Sequence, residues 1–272
     1  IRFEDLDLTD TSNVTRSYSS AVDSTGASLS DALTTALQNI DSAFTISGAG
    51  VGSADHSGTI NWNFSIDNAL TQYLATDQSI DVTYTISITD DSEVTTGDEP
   101  RTATKDVVIT INGANDNPVL SVSSLLNSDA ESLTETDAAL TTSGTLTATD
   151  IDLANPISIS NIAVSTGDTT DGLISNDTEL LNMLSVSSEQ VLDGTQTVNQ
   201  FTWTFNSNPP ENANPESFDY LADGETLTLT YTLTLSDSES GTTPDTHNIV
   251  ITINGTNDGP TIFTRPGAPT TA

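Results

Sequence analysis

Hydrophobic and polar residues alternate one by one along much of this chain. Residues 80–88 place Ile, Val or Tyr at every second position, and residues 227–235 do the same with Leu and Tyr. Residues 107–111 and 249–253 continue the pattern. Because successive side chains of a strand point to opposite faces, these runs predict strands with one face on a core. Such one-sided strands are typical of antiparallel sheets.

Helical spacing interrupts the alternation in two places. Residues 29–40 carry Leu, Ala and Ile at helical intervals, and Ser28 with Asp31 resembles a capping box. Residues 177–184 form a shorter counterpart. The fold class predicted is all-β, with antiparallel sandwiches of about seven strands each and a small helix on one crossover.

An internal repeat divides the chain into two tandem domains. Residues 110–116 (TINGAND) recur as 252–258 (TINGTND), and the Trp62 and Tyr84 segments recur in the same order around Trp203 and Tyr231. The predicted divisions are a first domain at 1–114, a linker at 115–118, a second domain at 119–260, and a loose tail or the start of a next unit at 261–272. The counterpart of residues 119–147 is missing before Ile1, so we expect a fragment of something larger.

The chain is strongly acidic, which restricts the classes of molecule that it could bind. Asp and Glu number 39 against 5 Lys and Arg, for a net charge of −34. This argues against nucleic acid and anionic membranes, which bind through Lys and Arg. It also predicts self-repulsion that divalent cations could offset. The chain has no Cys, which excludes disulfides and thiolate chemistry, and it has no apolar run long enough to span a membrane.

Asn and Asp residues cluster where a cation could bind. Asn115, Asp116 and Asn117 fill the predicted linker, and further acids follow predicted strands at Asp150, Asp152 and Asp237. Calcium takes six to eight oxygen ligands from such groups. The alternative is that Asn and Asp simply favour turns. Recurrence of the pattern at other points of the repeat favours metal: Asp5, Asp7, Asp90, Asn257 and Asp258.

Two family resemblances follow from these motifs. Residues 252–260, residues 3–10 and the Trp62 segment resemble the VCBS repeats of large bacterial RTX-type surface adhesins, which type I systems secrete. The linker and its acids are also similar to those of cadherin domains, which hold calcium between domains. The second resemblance implies that Glu135, Asp223 and Glu225 serve the far end of the second domain. It puts Asp77, next to Gln78, at the matching place of the first.

The resemblance implies a structural role outside the cell. We expect a calcium-rigidified extender at the bacterial surface that projects an adhesive region for attachment or biofilm formation. Neighbouring repeats would be its partners, and surface glycans or proteins would be reached through other regions.

Two alternative functions stay open. One is a ligand-binding module for sugar or peptide, for which the long loops at 51–57, 93–101 and 207–217 are the candidate sites. The other is an ancillary domain of a secreted enzyme. No catalytic set stands out in the sequence, so we expect no enzyme activity.

The two tryptophans and the two histidines of the chain also allow predictions. Trp62 and Trp203 occupy equivalent strands and are interpreted as core anchors. His56 and His247 occupy different places in the repeat and have no obvious partners, so we interpret them as surface or strand residues.

Overall fold

The computed structural model describes most of the chain. The described residues are 1–4, 12–48, 57–90, 101–122, 128–153, 155–213, 216–237, 239 and 244–260. The chain divides into two compact units, Ile1–Asp116 (unit 1) and Asn117–Ala272 (unit 2). The predicted tail at 261–272 and His56 lie outside the described residues. Within the described part, every helix is too short or too polar to cross a bilayer.

Unit 1 is built from antiparallel strands with short helices on one crossover. One sheet has the order β2-β6-β7, and two strand pairs, β3-β5 and β1-β4, accompany it. The elements are β1 (Arg2–Glu4), β2 (Ser12–Asp23), α1 (Asp31–Gln38), α2 (Ile40–Ala43), β3 (Phe44–Ser47), β4 (Ser57–Thr59), β5 (Asn61–Phe64), a 3-10 turn (Asn68–Leu70), β6 (Ser79–Asp90) and β7 (Thr102–Asn112).

Unit 2 is a fuller version of the same plan. One sheet has the order β12-β14-β10-β8 and the other β13-β11-β15-β16-β9. All pairs are antiparallel except β9 with β16, which is parallel. The elements are β8 (Val119–Ser121), β9 (Ala130–Thr134), β10 (Thr141–Thr149), β11 (Ile157–Asp168), α3 (Asp177–Asn182), β12 (Leu184–Val186), β13 (Gln190–Leu192), β14 (Val198–Asn206), β15 (Thr226–Ser236) and β16 (Thr246–Asn254).

The all-β prediction is confirmed, and the alternating runs form the central strands β6 and β15. Every second residue of β15, from Leu227 to Leu235, is fully buried, and β6 buries Ile80, Val82 and Tyr84 in the same way. These faces pack into one apolar core in each unit. The exception to the antiparallel prediction is β9, because alternation fixes which face is buried but not the direction of the neighbouring strand.

A buried tyrosine fastens the crossover helix to the sheet in each unit. The Tyr84 hydroxyl donates to the Leu37 carbonyl at 2.8 Å, and the Tyr231 hydroxyl donates to the Leu180 carbonyl at 2.9 Å. Burial raises the pKa of Tyr84, to about 12, and also that of Tyr231. Both hydroxyls therefore stay protonated donors across the physiological range.

Polar side chains cap the N-termini of α1 and α3, and the cap of α1 differs from the one that the sequence suggested. Ser30, not Ser28, caps α1, because its side chain accepts from the Leu33 amide at 3.2 Å. α3 begins with a capping box in which Asn176 and Glu179 satisfy each other's backbone amides. Both helices are short, so these caps satisfy a large share of their free amides.

The two tryptophans occupy different environments, which corrects the prediction that both are core anchors. Trp203 is 0% exposed, and its indole N–H donates to the Ser128 carbonyl at 2.9 Å. Trp62 is 44% exposed although it stacks on Phe44. The difference arises because β14 pairs with β10, whereas β5 pairs with β3 alone among the described strands.

A glycine after the last strand of each unit permits a close backbone approach. A Cβ on Gly255 would fall on the carbonyl oxygens of Leu221 and Ala222, and one on Gly113 would fall on those of Leu74 and Ala75. A Cβ on Gly259, by contrast, would meet no atom within 4 Å. The close approach is therefore a property of the turn after each last strand and is not shared by every glycine nearby.

We therefore expect Gly255→Ala to lower the free energy of unfolding of unit 2 by about 1–3 kcal/mol through overpacking. Gly259→Ala, its matched control, should stay within about 0.5 kcal/mol of the parent. Urea denaturation followed by Trp203 fluorescence in a Trp62→Phe background measures both. Equal stabilities of the two variants would contradict the close approach at Gly255.

Candidate metal centres of unit 2

The topology of unit 2 brings four predicted ligands to one end. β10 ends opposite the start of β8, with Thr149 facing Val119, and Asp150 and Asp152 lie in the connection from β10 to β11. β15 ends at Ser236, opposite Ser158 near the start of β11, and Asp237 follows it. Asn117 precedes β8 at the same end and is exposed. We call this group the entry-end set: Asn117, Asp150, Asp152 and Asp237.

The carboxylates of the entry-end set are almost fully buried. Asp150, Asp152 and Asp237 are 4%, 2% and 3% exposed. Asp150 accepts the amide of Asp152 at 2.9 Å, and Asp237 accepts the amide of Glu239 at 2.9 Å. These are the local turns that Asn and Asp favour, so the turn interpretation holds for part of each side chain. Burying three acids in one region is nevertheless costly, because a carboxylate loses its hydration there.

A second acidic group lies at the opposite end of unit 2. β9 ends next to Asn254 of β16, and β15 begins there as well. Glu135 follows β9, Glu225 precedes β15, and Asn257 and Asp258 follow β16. We call this group, with Asp223, the exit-end set.

Glu135 is the buried centre of the exit-end set. It is 2% exposed and accepts both the amide, at 2.8 Å, and the hydroxyl of Thr256. Its own amide donates to the Asn254 carbonyl at 2.9 Å. Glu225 accepts the Ala222 amide at 2.9 Å, while its carbonyl accepts the Gly255 amide at 2.9 Å. These bonds hold the segment after β16 against Glu135 and Glu225.

The electrostatics of the exit-end set reveal two acids that sequence reasoning missed. Reduced contact with water, and then the negative charges of Glu135, Asp219 and Asp137, raise the pKa of the Asp258 carboxyl above its usual 3.8. Asp137 and Asp219 were not predicted, because they lie in segments far apart in sequence and outside the repeat motifs. Only the fold assembles this concentration of negative charge.

Unit 1 has the same turn with different chemistry. Gln78 accepts the Ala75 amide at 3.0 Å and its carbonyl accepts the Gly113 amide, as Glu225 does for Ala222 and Gly255. Gln78 is therefore the counterpart of Glu225. Asp77 is exposed with φ of 66° and matches Gly224, at 86°, which assigns it a left-handed turn position. Unit 1 thus lacks one carboxylate of the exit-end set.

The remaining predicted ligands of unit 1 are only partly described. Asp5 and Asp7 lie outside the described residues. Asp90, the last residue of β6, accepts the Arg101 amide at 2.9 Å. Asn115 donates from its side chain to the Asp116 carbonyl at 2.7 Å. The sharing of an ion by Asn115 and Asp116 with the entry-end set stays a prediction.

The candidate ligands of both sets suit a hard cation, but the carboxylates alone do not form a complete metal site. All the candidate side-chain ligands are carboxylate or amide oxygens, which calcium prefers. In the described part of the chain, however, no three Asp, Glu or His side chains converge as a metal-binding group. A calcium ion at either end would therefore also need Asn side chains or main-chain carbonyls, which calcium shells commonly include.

His247 has a partner that the sequence did not suggest. Its Nε2 lies 3.1 Å from Asp129 Oδ2, next to the start of β9. His247 lies in β16, which confirms its interpretation as a strand residue, and the contact with Asp129 is an addition that the sequence did not suggest. The contact links β16 to the residue before β9, and these two strands form the parallel pair.

Comparisons with known proteins give no family for this chain. No family model and no curated protein matches it. Solved structures with a related arrangement include the cadherin-like domains 1 to 4 of zebrafish RET, at 12% identity and a TM-score of 0.31. That alignment covers 90% of this chain and 41% of the other, so this chain spans less than half the length of that relative.

Two further structures are similarly distant. CfaE, the adhesive subunit of the CFA/I fimbria of enterotoxigenic Escherichia coli, is 9% identical with a TM-score of 0.33, covering 75% of this chain and 64% of that one. A PapD-like domain of human CEP192 is 7% identical with a TM-score of 0.30, covering 53% and 89%. At such low scores these likenesses carry no argument about function.

The raised pKa of Asp258 is directly testable. In calcium-free buffer, NMR titration should place it above 3.8, and Asp219→Asn should lower it by removing one nearby charge. Because the folded-state pKa is raised, the stability that this group contributes is present at low pH and is lost as pH rises through that pKa.

Asp193 is the internal control for this titration. Hydrogen bonds from the Thr195 side chain and amide lower its pKa, and Asp219→Asn should leave it unchanged. An Asp258 that titrates at its usual value would contradict the clustering of charge at the exit end.

Proposed function

We propose that this chain is a calcium-stabilised extender segment of a bacterial surface adhesin of the VCBS-bearing kind. In this role it works outside the cell and projects an adhesive region that lies elsewhere in the protein. The observation that carries the proposal is the burial of carboxylates at both ends of unit 2. Asp150, Asp152 and Asp237 are buried at the entry end, and Glu135 is buried at the exit end.

The unbalanced negative charge of the chain supports this proposal. Arg16 with Asp41 is the one ion pair of Arg or Lys with an acid among the described residues, and the net charge is −34. Two like charges about 4 Å apart repel by roughly 1–4 kcal/mol, depending on exposure. A bound divalent cation supplies the missing positive charge at the strand ends. Folding is then favoured by binding, because the unfolded chain does not assemble either set.

Each residue set has a defined role in this proposal. At the entry end, Asp150, Asp152 and Asp237 contribute carboxylates to the cation, with the Asn117 amide oxygen and main-chain carbonyls completing its shell. At the exit end the ligands are Glu135, Glu225, Asn257 and Asp258, and Asp137 and Asp219 strengthen the negative potential. Asp223 is exposed and belongs to the same turn. Asn115 and Asp116 complete the entry-end site from the linker, and binding of the ion stiffens the linker.

A ligand-binding module is the competing function, and the described surface favours it less. A cavity of about 540 Å³ in unit 2 includes Glu211 of the candidate loop at 207–217. Its described lining is aliphatic and polar, with Ile159, Leu184 and Asn161 among its residues and no aromatic side chain. Sugar-binding and peptide-binding sites commonly use aromatic side chains for contact area. The extender therefore remains the better-supported function.

Calcium should raise the melting temperature of the full chain. At 100 times its dissociation constant, a ligand specific for the folded state stabilises by about 2.7 kcal/mol. Asp152→Asn and Glu135→Gln should each remove a large part of the gain, because each takes one charge from its set. Calorimetry in millimolar calcium and in chelator measures the difference.

The controls separate a specific site from general screening of charge. Asp193→Asn removes an exposed acid of a separate turn, and the calcium gain should persist. Magnesium at equal concentration should stabilise less, because it demands a tighter octahedral shell. Identical melting in calcium and in chelator would refute the proposal.

Calcium should also restrict the orientations that the two units sample. Motion between domains is the default unless something ties them. Small-angle scattering of the full chain should therefore show a narrow distance distribution in calcium and a broad one in chelator. Asp152→Ala in calcium should resemble the chelated parent, whereas Asp193→Ala should not. Equal scattering by the parent and Asp152→Ala in calcium would exclude the entry-end set as the tie.

A further inference from the structure

A cleft of about 540 Å³ lies in unit 2 between the end of α3 and the neighbouring strands β11 and β12. We call it the α3 cleft. Ile162 of β11, Leu181 of α3 and Val186 of β12 contribute to its apolar side. Glu189 and Glu211 are the charged groups of its described lining, and both are exposed. The cleft therefore combines an apolar floor with negative charge.

Strand register identifies the residue of unit 1 that corresponds to Ile162. Ile162 is paired with Leu233 of β15, and Arg16 is paired with Ile86 of β6. Leu233 and Ile86 are equivalent, because each lies two residues after the buried tyrosine that fastens the crossover helix. Arg16 of unit 1 therefore lies at the position that Ile162 has in unit 2.

Arg16 places a cation at this position in unit 1. Its Nε donates to the Ile40 carbonyl at 3.4 Å, and its Nη2 donates to the Asp41 carboxylate at 2.9 Å. Only 22% of its side chain is exposed. Val14 and Tyr18, its neighbours on the same face of β2, pack against the apolar core. The aliphatic part of the arginine thus lies at the border of the core, while its guanidinium contacts α2.

Unit 2 lacks both groups that meet here in unit 1. Ile162 stands in place of the arginine, and the segment that forms α2 is shorter. Residues 38–43 separate Leu37 from β3 in unit 1, whereas only residues 181–183 separate Leu180 from β12 in unit 2. The described residues of unit 2 also contain no Lys or Arg. Within the described part of unit 2, therefore, no such side chain is present to enter the cleft.

Hydrogen bonds fix the main chain beside both carboxylates of the cleft. The Glu189 carbonyl accepts the Ile159 amide at 2.7 Å, which holds Glu189 next to β11. Beside Glu211, the Asn212 side chain donates to a carbonyl of α3 at 2.9 Å and accepts from Asn182 at 3.0 Å. Both carboxylates are therefore kept at the cleft by the fold.

We propose that the α3 cleft binds an arginine side chain that a partner polypeptide presents. The guanidinium takes the place that Arg16 takes in unit 1. Glu189 and Glu211 supply the negative charge that Asp41 supplies there. A guanidinium suits this lining because its five N–H donors meet carboxylate, amide and hydroxyl oxygens on several sides. Recognition of a charge does not require an aromatic side chain, so this contact adds to the extender role and does not replace it.

The test uses the full 272-residue chain and a blocked peptide, acetyl-Thr-Thr-Arg-Thr-Thr-amide, in chelator. The control peptide carries citrulline, which has nearly the shape of arginine without its charge. In an NMR titration, the arginine peptide should shift the amide signals of residues 159–162 and 184–186. The citrulline peptide should bind at least about tenfold more weakly, because it loses the charge-assisted hydrogen bonds. The cleft shares no residue with the entry-end or exit-end set, so this result is independent of the calcium proposal.

Two variants of equal charge locate the site. Ile162→Arg should fill the cleft from within, as Arg16 does in unit 1, and should abolish binding of the peptide. Ala163→Arg adds the same charge on the opposite face of β11 and should leave the affinity within about twofold of the parent. Glu189→Gln and Glu211→Gln should each weaken binding by about two- to fivefold, since each removes one partly solvated charge.

Any of three outcomes would overturn the proposal. One is equal affinity for the arginine and citrulline peptides. Another is unchanged binding by the double variant of Glu189→Gln with Glu211→Gln, which leaves the core packing intact. The third is an equal loss of binding in Ile162→Arg and Ala163→Arg, which would indicate attraction to the net charge of the chain. Trp203 fluorescence verifies that each variant is folded before its binding is measured.

Discussion

Everything in each unit depends on covering the apolar face of one long central strand. β15 presents five fully buried side chains at alternate positions, and β6 presents a closely similar series. Such a face is stable only if a second layer excludes water from it. In unit 2 the layer is complete, with Trp203, Phe205 and Leu146 lying over β15. In unit 1 the described layer is narrower, and Trp62 on β5 is 44% exposed there.

The same architecture decides where the acidic residues can go. Alternating strands reserve their inward positions for Leu, Ile and Tyr, and their outward positions carry mostly Thr and Ser. Most residues of the entry-end and exit-end sets therefore lie in the connections at the two ends of unit 2. Tight turns bury several of these residues, and the neighbouring strands fix the positions of the turns. The concentration of charge at the ends is thus a consequence of the fold as well as of composition.

The sequence predicts the strands, the helix and the domain repeat, which alternation and repetition encode. It does not predict the environment of side chains whose neighbours come from distant segments of the chain. The strands β6 and β15 can be predicted because their apolar residues alternate strictly, and α1 can be predicted because its apolar residues have helical spacing. The exposure of Trp62 cannot be predicted, since the repeat makes it equivalent to Trp203 and only the pairing of their strands differs. Asp137 and Asp219 were missed for a related reason, because only the folded chain brings their charges to Asp258. Asp77 as a metal ligand stays a prediction, and its positive φ shows that its position in the turn corresponds to that of Gly224.

The parallel pairing of β9 with β16 has a mechanical consequence. β9 lies near the beginning of unit 2 and β16 lies near its end, and five consecutive residue pairs join them. When the chain is pulled from its two termini, tension runs along both strands in opposite directions. The bonds between them are then loaded in shear and must yield together, whereas an antiparallel hairpin pulled at its open end would unzip one rung at a time. Unit 2 therefore resists stretching most strongly at the junction between its early and late segments.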